Sequence, residues 1–262
     1  VEELRQGGAR AFHAAADVAD ATAVAQAADA IEHELGPIGV WVNNAMSTVF
    51  APALEIRPEE FRRAMEVSFL GNVHGTLTAI RHMRASGGGV VVQVGSALSY
   101  RGIPLQSPYC ASKHAIRGFT DSIRSELLHD RIPVRITAVY LPAVNTPQFD
   151  WALSRMPRRP RPVPPVYQPE LPARAIVFAA THNRREIWIG TPTLKVLAGE
   201  LLAPWYLDRF LARTGYSGQM TPEPEPADAP ANLFAPASLD VAAHGRFDTE
   251  ALTTTSQFWS SR

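Results

Sequence analysis

The chain of 262 residues holds a single cysteine, Cys110, so no disulfide can form within it, and the expected compartment is the reducing cytoplasm. It has no excess of either charge. Its 25 Lys and Arg balance 25 Asp and Glu, which gives no net basic character to attract nucleic acid. No apolar run approaches the roughly 18 residues of a membrane span. The 8 histidines are scattered, with neither HExxH nor CxxC spacing, so no metal site is assigned. No signal-peptide core follows Val1. The first residue is Val rather than Met, and the opening residues read as a helix end closed by Gly7 and Gly8. The expectation is therefore a chain that starts inside a structural unit.

What is present is 46% hydrophobic, enough to fill one large core. Apolar runs at 11–15, 40–42, 90–94, 134–140 and 187–189 read as strands. Between them lie helical patterns over 20–35, 58–84, 109–129 and 172–181. The second of these carries Phe61, Met65, Phe69, Val73, Leu77 and Ile80 at three- and four-residue spacing. Strands alternating with helices predict an α/β fold with a parallel sheet covered on both faces. In such sheets ligands bind beyond the carboxyl ends of the strands. Asp17, Asn44, Ser96 and Pro142 all follow strands and are predicted to share one cleft.

Tyr109 and Lys113 stand four apart on a helix and so share a face. A phenol titrates near pH 10 and is a poor proton shuttle until a neighbouring ammonium stabilises the phenolate. Ser96 can donate a hydrogen bond to a carbonyl oxygen as charge grows there. Together they suit hydride transfer between a carbonyl or alcohol and a nicotinamide. Taken singly they have plainer readings. Tyr109 suits packing on the sheet, Lys113 a solvated charge, Ser96 a strand-end cap, and the pair alone does not decide.

The order of these motifs resembles the short-chain dehydrogenase/reductase family. Asp17-Val18 follows the third strand of that family, Asn43-Asn44-Ala45 the fourth, Ser96 the fifth with Tyr109 and Lys113 after it, and Pro142 to Thr146 the sixth. The resemblance runs over about 5–190 and implies a Rossmann-like, doubly wound parallel sheet. It implies Ser96, Tyr109 and Lys113 as catalytic, with Tyr109 as acid/base. It implies Asp17 and Val18 at the adenine, Asn44 and Ala45 at its ribose, Lys113 also on the nicotinamide ribose, and Asn145 and Thr146 at the carboxamide. Asp17 could equally be a helix cap and the Asn pair a turn.

Three features depart from the family. No glycine-rich phosphate turn is present, because a β-α-β unit needs about 30 residues and only ten precede position 11. The choice between NAD and NADP lies in that segment, and the chain as it stands is expected to bind dinucleotide poorly and to expose a sheet edge. Met46 replaces a glycine beside the cofactor. Ser68 stands where the family has its fourth catalytic residue, an asparagine; Asn72, one turn on, is either its substitute or a polar residue in a helix interface.

The expected organisation is a partial Rossmann-like domain over 1–192, whose proline-rich segment 142–172 covers the substrate. A helical extension over 193–216 and a linker and tail over 217–262 follow, the tail carrying the aromatic anchors Phe234, Phe247 and Trp259 and being partly docked or disordered. In the covering segment Phe149, Trp151 and Tyr167 are candidate substrate contacts. Arg158, Arg159 and Arg161 either hold an anionic group or, the preferred reading, belong to a solvated polyproline connector. The helical extension is expected to pack on protein rather than on a membrane. The function expected is an NAD(P)-dependent oxidoreductase acting on a small carbonyl or secondary alcohol. The alternative is a catalytically impaired member serving as a binding or assembly module. Self-association through the helices over 58–84 and 107–129 is expected, and nucleic acid is not.

Overall fold

Strand-forming runs and amphipathic helices alternate along most of the chain. The computed structural model describes residues 1–237, 242–255 and 258–261; the side chain of Trp259 lies outside what is described. The first half contains helices α1 (Glu2–Gln6) and α2 (Ala21–Leu35), strands β1 (Val40–Asn43) and β2 (Val49–Phe50), helices α3 (Pro58–Met65) and α4 (Gly71–Ala85), strand β3 (Gly89–Ser96) and helix α5 (Ser107–His129). Then come β4 (Val134–Leu141), β5 (Ala143–Val144), α6 (Gln148–Trp151), β6 (Leu153–Ser154), β7 (Arg158–Pro160) and β8 (Val166–Tyr167). The remainder is α7 (Glu170–Thr181), β9 (Glu186–Ile189), α8 (Gly190–Leu202), α9 (Pro204–Thr214), β10 (Met220–Pro224) and β11 (Phe258–Ser261).

The central sheet has the order β1-β3-β4-β9-β11, the first four strands parallel and β11 antiparallel. Successive side chains point to opposite faces. Val91 and Ile136 pack with Ala28 of α2, Met83 of α4 and Leu127 of α5. Val92 and Val139 pack on the other face with Leu171, Ala175 and Ala179 of α7. Helices on both faces of a parallel sheet make the fold Rossmann-like and doubly wound, as the sequence predicts.

Two expectations about elements change. The run over 11–15 forms no ladder and stays irregular. A parallel strand exists through its neighbour's hydrogen bonds, and among the described residues no strand lies beside it. β1 is accordingly the open edge, with Val40 and Val42 48% and 41% exposed. The long helix over 58–84 forms as α3 and α4 joined by a π-helical turn at Glu66–Leu70, and Ser68 sits in that turn.

The described part of the tail is docked on the fold. β10 runs antiparallel to β7. Asn232 donates its N–H to the Trp151 carbonyl at 2.8 Å, and Leu233 is buried among Val49, Ala51 and Ala64. Phe247 is buried edge-on to Phe149 at 5.8 Å, whereas Phe234 is exposed. Leu252 donates to the Val166 carbonyl at 2.9 Å, and β11 completes the sheet against β9. Two of the three candidate arginines of the proline-rich segment meet tail acids, while Arg158 is exposed. Arg159 pairs with Glu223 at 3.5 Å and Arg161 with Glu250.

One clasp on the tail titrates. His244 lies 2.6 Å from Glu170 and 3.0 Å from Asp248, and these hydrogen bonds, Glu170 first, raise its pKa above the usual 6.5. A raised cationic pKa stabilises fully below the unfolded value and is lost as pH rises through the folded one. Proteolytic cleavage within 242–255 is therefore expected to quicken as pH rises above the ordinary histidine value of about 6.5, and His244→Gln should flatten that dependence.

A second clasp holds α3 to the proline-rich segment. Glu60 is fully buried, closes the helix start by accepting the Arg57 N–H at 3.0 Å, and binds both terminal nitrogens of Arg155. Arg155, opposed by burial and helped by Arg57, holds its carboxyl down near a pKa of about 2. Arg155→Ala leaves this buried carboxylate with Arg57 alone, and is expected to cost about 2 kcal/mol in urea unfolding. A depressed carboxylate stabilises above its unfolded value and is lost as pH falls through its folded one. The penalty of Arg155→Ala should therefore shrink as pH drops from 4.5 toward about 2.

Candidate active site

β3 delivers the first group. Val91, Val92 and Val94 are buried, and its last residue, Ser96, pairs in register with Leu141 at the end of β4. There the Ser96 Oγ accepts the Leu98 N–H at 3.1 Å, while the Ser96 N–H donates to Ser99 Oγ at 3.3 Å. α5 delivers the other two, opening with Pro108 at a position where the missing N–H goes unmissed. Tyr109 lies in its first turn, with its phenol close enough to the Ser96 hydroxyl for that hydroxyl to draw its pKa down. Lys113, one turn on, is buried; its Nζ donates to the Val94 carbonyl at 2.8 Å and lies 5.5 Å from the centre of the Tyr109 ring. The structure thus brings Ser96, Tyr109 and Lys113 together at the carboxyl end of the sheet.

Their titration differs from the simple expectation. Burial pushes Tyr109 up to about 12, even though the Ser96 hydrogen bond pulls the other way. Burial also lowers Lys113 from 10.5 to about 8. Desolvation disfavours both charged forms, and the ammonium is directed to a backbone carbonyl rather than to the phenol oxygen.

Ser68 does something other than face this trio. Its hydroxyl accepts the Ser47 N–H at 2.9 Å and donates to the Ser47 carbonyl at 2.8 Å. It therefore pins the loop that follows β1. Asn72 is a structural residue: its amide donates to Gln93 at 2.8 Å, and Gln93 also accepts from Asn43 at 2.9 Å. The Asn43 amide also donates to Thr76 at 2.9 Å and its oxygen accepts the Trp41 indole N–H at 2.8 Å. Gln93, the one polar residue in the apolar run over 90–94, was the visible signal of this network.

Val18, Asn44 and Ala45 line a cleft of about 140 Å³ with Ala16, Val24 and Gly71. Gly71 is required there, because a Cβ would come within 2.6 Å of the Val18 side chain. Asp17 stands just before Val18 in the chain. The Ala19 N–H, opposed by burial and helped by Arg63 at 2.7 Å, keeps its carboxyl below the usual range. Met46 is half-buried and does not line this cleft.

Asn145, expected at a carboxamide, is fully buried and its amide is committed elsewhere. It donates to Gln168 at 3.0 Å and Asp248 at 2.8 Å, and accepts the Phe247 N–H at 3.0 Å. Thr146 beside it stays partly exposed. Of the candidate substrate contacts, Phe149 joins Phe50 and Phe247 in an apolar cluster, Tyr167 is buried under α7, and Trp151 remains half-buried. Sequence reasoning missed Gln219. It accepts from Gln106 at 2.6 Å and donates to the Pro104 carbonyl at 2.8 Å, so it braces the loop leading into Tyr109. Nothing in its local pattern separates it from a solvated glutamine.

The comparisons with known proteins bear on the fold and the family. The short-chain dehydrogenase family model matches residues 1–155. The uncharacterized oxidoreductase YxnA of Bacillus subtilis is 32% identical over 225 residues, covering 85% of this chain and 63% of YxnA. The chain thus spans less than two thirds of that relative's length. A short-chain dehydrogenase structure from Streptomyces avermitilis superposes with a TM-score of 0.65 at 20% identity, over 82% of this chain and 85% of its own. A gluconate 5-dehydrogenase from Burkholderia cenocepacia, solved with NADP and tartrate, gives 0.63 at 25% identity, over 74% and 79%.

Proposed function

The chain belongs to the short-chain dehydrogenase family, and on that premise we propose that it carries the proton-transfer site of an NAD(P)-dependent oxidoreductase interconverting a carbonyl and a secondary alcohol. The observation that carries this reading is the convergence of Ser96, Tyr109 and Lys113 at one strand end. Ser96 offers its O–H to the substrate oxygen. Tyr109 gives that oxygen its proton as negative charge grows, and with a pKa of about 12 it is protonated at neutral pH, the form needed for reduction. Lys113 supplies positive charge beneath the phenol.

A nicotinamide dinucleotide would supply the hydride. The apolar cleft of Ala16, Val18 and Ala45, with Asn44 beside it, suits a flat base, and these residues with Asp17 would hold the adenosine end. Thr146, partly exposed, is the residue of its loop left to meet the nicotinamide. The NADP carried by the gluconate 5-dehydrogenase supports this cofactor class.

One observation favours a second reading, a binding module without turnover. The Ser68 hydroxyl is used on both polar groups of Ser47 and has no role left in proton relay. The experiment that separates the two is NADH and NADPH oxidation against a broad carbonyl panel. It should be run on the chain alone and on the chain preceded by any sequence encoded in frame upstream of Val1. Turnover that depends on Tyr109 supports the oxidoreductase; cofactor-independent partner binding with no turnover on any member supports the module.

A further inference from the structure

The helical pair α8 and α9 keeps most of its apolar side chains outside. Leu207 lies against Gly199 where the two helices meet. Leu201 and Leu202, at the end of α8, are nonetheless 82% and 79% exposed. Trp205, Tyr206 and Phe210 on α9 are 61%, 54% and 48% exposed, and no residue of α9 is buried. The protein packing expected of this stretch holds only for its inner side. At about 100° per residue, Trp205, Tyr206, Arg209, Phe210 and Arg213 fall within an arc of about 140°, and Leu207 and Leu211 fall opposite it. On α8, exposed Lys195, Ala198 and Leu202 share one face at three- and four-residue spacing.

The charges sort the same way. The two acids of the pair, Glu200 and Asp208, are both bound by Arg101. Lys195, Arg209 and Arg213 are exposed, and none joins an ion pair among the described residues. The Arg209 guanidinium sits 5.7 Å over the Trp205 ring. The outer face is thus aromatic, aliphatic and basic, with its acids neutralised from beneath.

We infer that this face docks on an anionic lipid surface. Trp and Tyr rings settle at the headgroup level, leucines at the bend enter the acyl boundary, and basic side chains meet lipid phosphates. No helix among the described residues is long and apolar enough to cross a membrane, so the contact is a surface one. A second copy fits less well, because a two-fold contact would set this basic face against its own copy.

The test is sedimentation of the full chain with vesicles of equal parts phosphatidylcholine and phosphatidylglycerol, beside vesicles of phosphatidylcholine alone. Binding to the anionic vesicles is expected, about tenfold weaker on phosphatidylcholine and weakened by salt. Leu202→Ser with Trp205→Ser, and separately Arg209→Glu with Arg213→Glu, should each lower it about tenfold with circular dichroism unchanged. No vesicle binding, or binding that survives both pairs of substitutions, overturns the proposal. So does a concentration-dependent dimer abolished by the Leu202 and Trp205 substitutions, which would assign the face to a second copy. None of these readouts depends on turnover.

Discussion

Tyr109→Phe is expected to lower carbonyl turnover about a thousandfold, the scale of one positioned proton donor. The substitution removes one oxygen from a half-buried ring and leaves that ring's packing in place. Cofactor affinity and melting temperature should therefore barely move, and the loss should fall on kcat rather than KM. Ser96 keeps its bond from the Leu98 N–H without the phenol, so the loop after β3 is not released. The free protein also predicts a pH profile. Lys113 loses its proton near pH 8, whereas Tyr109 holds its own to about 12. For the reductive direction kcat/KM should decline as pH rises through about 8, because the charge beneath the phenol is lost while the phenol itself is still protonated. A Tyr109→Phe variant that keeps more than about a tenth of wild-type turnover would remove Tyr109 from the chemistry.

The parts of this site that were legible in the sequence are those fixed by local geometry. The Tyr109 and Lys113 pair needs only a helix, and Ser96 needs only a buried strand that stops. The apolar run at 90–94 and the helical spacing after Tyr109 announce both. The roles of Ser68 and Asn145 were not legible, because each depends on a partner far away in the chain. Ser68 meets Ser47 across 21 positions, and Asn145 meets Asp248 across 103. The same holds for the tail. Its anchors are single side chains and single backbone bonds, such as Leu233 and the Leu252 N–H, spaced too irregularly to give a period. The run at 11–15 failed in the opposite sense. Its composition suits a strand, but a ladder is a property of two segments, and one segment's composition cannot supply the other.

Lys113→Met should make the protein more stable and abolish turnover. The lysine is buried, and the drop of its pKa from 10.5 to about 8 measures how far the interior disfavours its charge. That shift corresponds to roughly 3 kcal/mol at neutral pH. Methionine fills a similar volume without the charge. Against this, the Val94 carbonyl loses the donor it now has at 2.8 Å, worth about 1 kcal/mol. The net expectation is a gain of about 2 kcal/mol in urea unfolding. Its pH dependence is distinctive. A lysine with a depressed folded pKa destabilises most while it is charged, below about 8, and the penalty fades as pH rises toward 10.5. The advantage of the methionine variant should shrink over that window. A stable variant without activity would mean that the ammonium is retained for chemistry at the fold's expense. A variant that is less stable at neutral pH would mean instead that Lys113 is there chiefly to satisfy Val94, and the catalytic reading of Tyr109 would then have to stand on Ser96 alone.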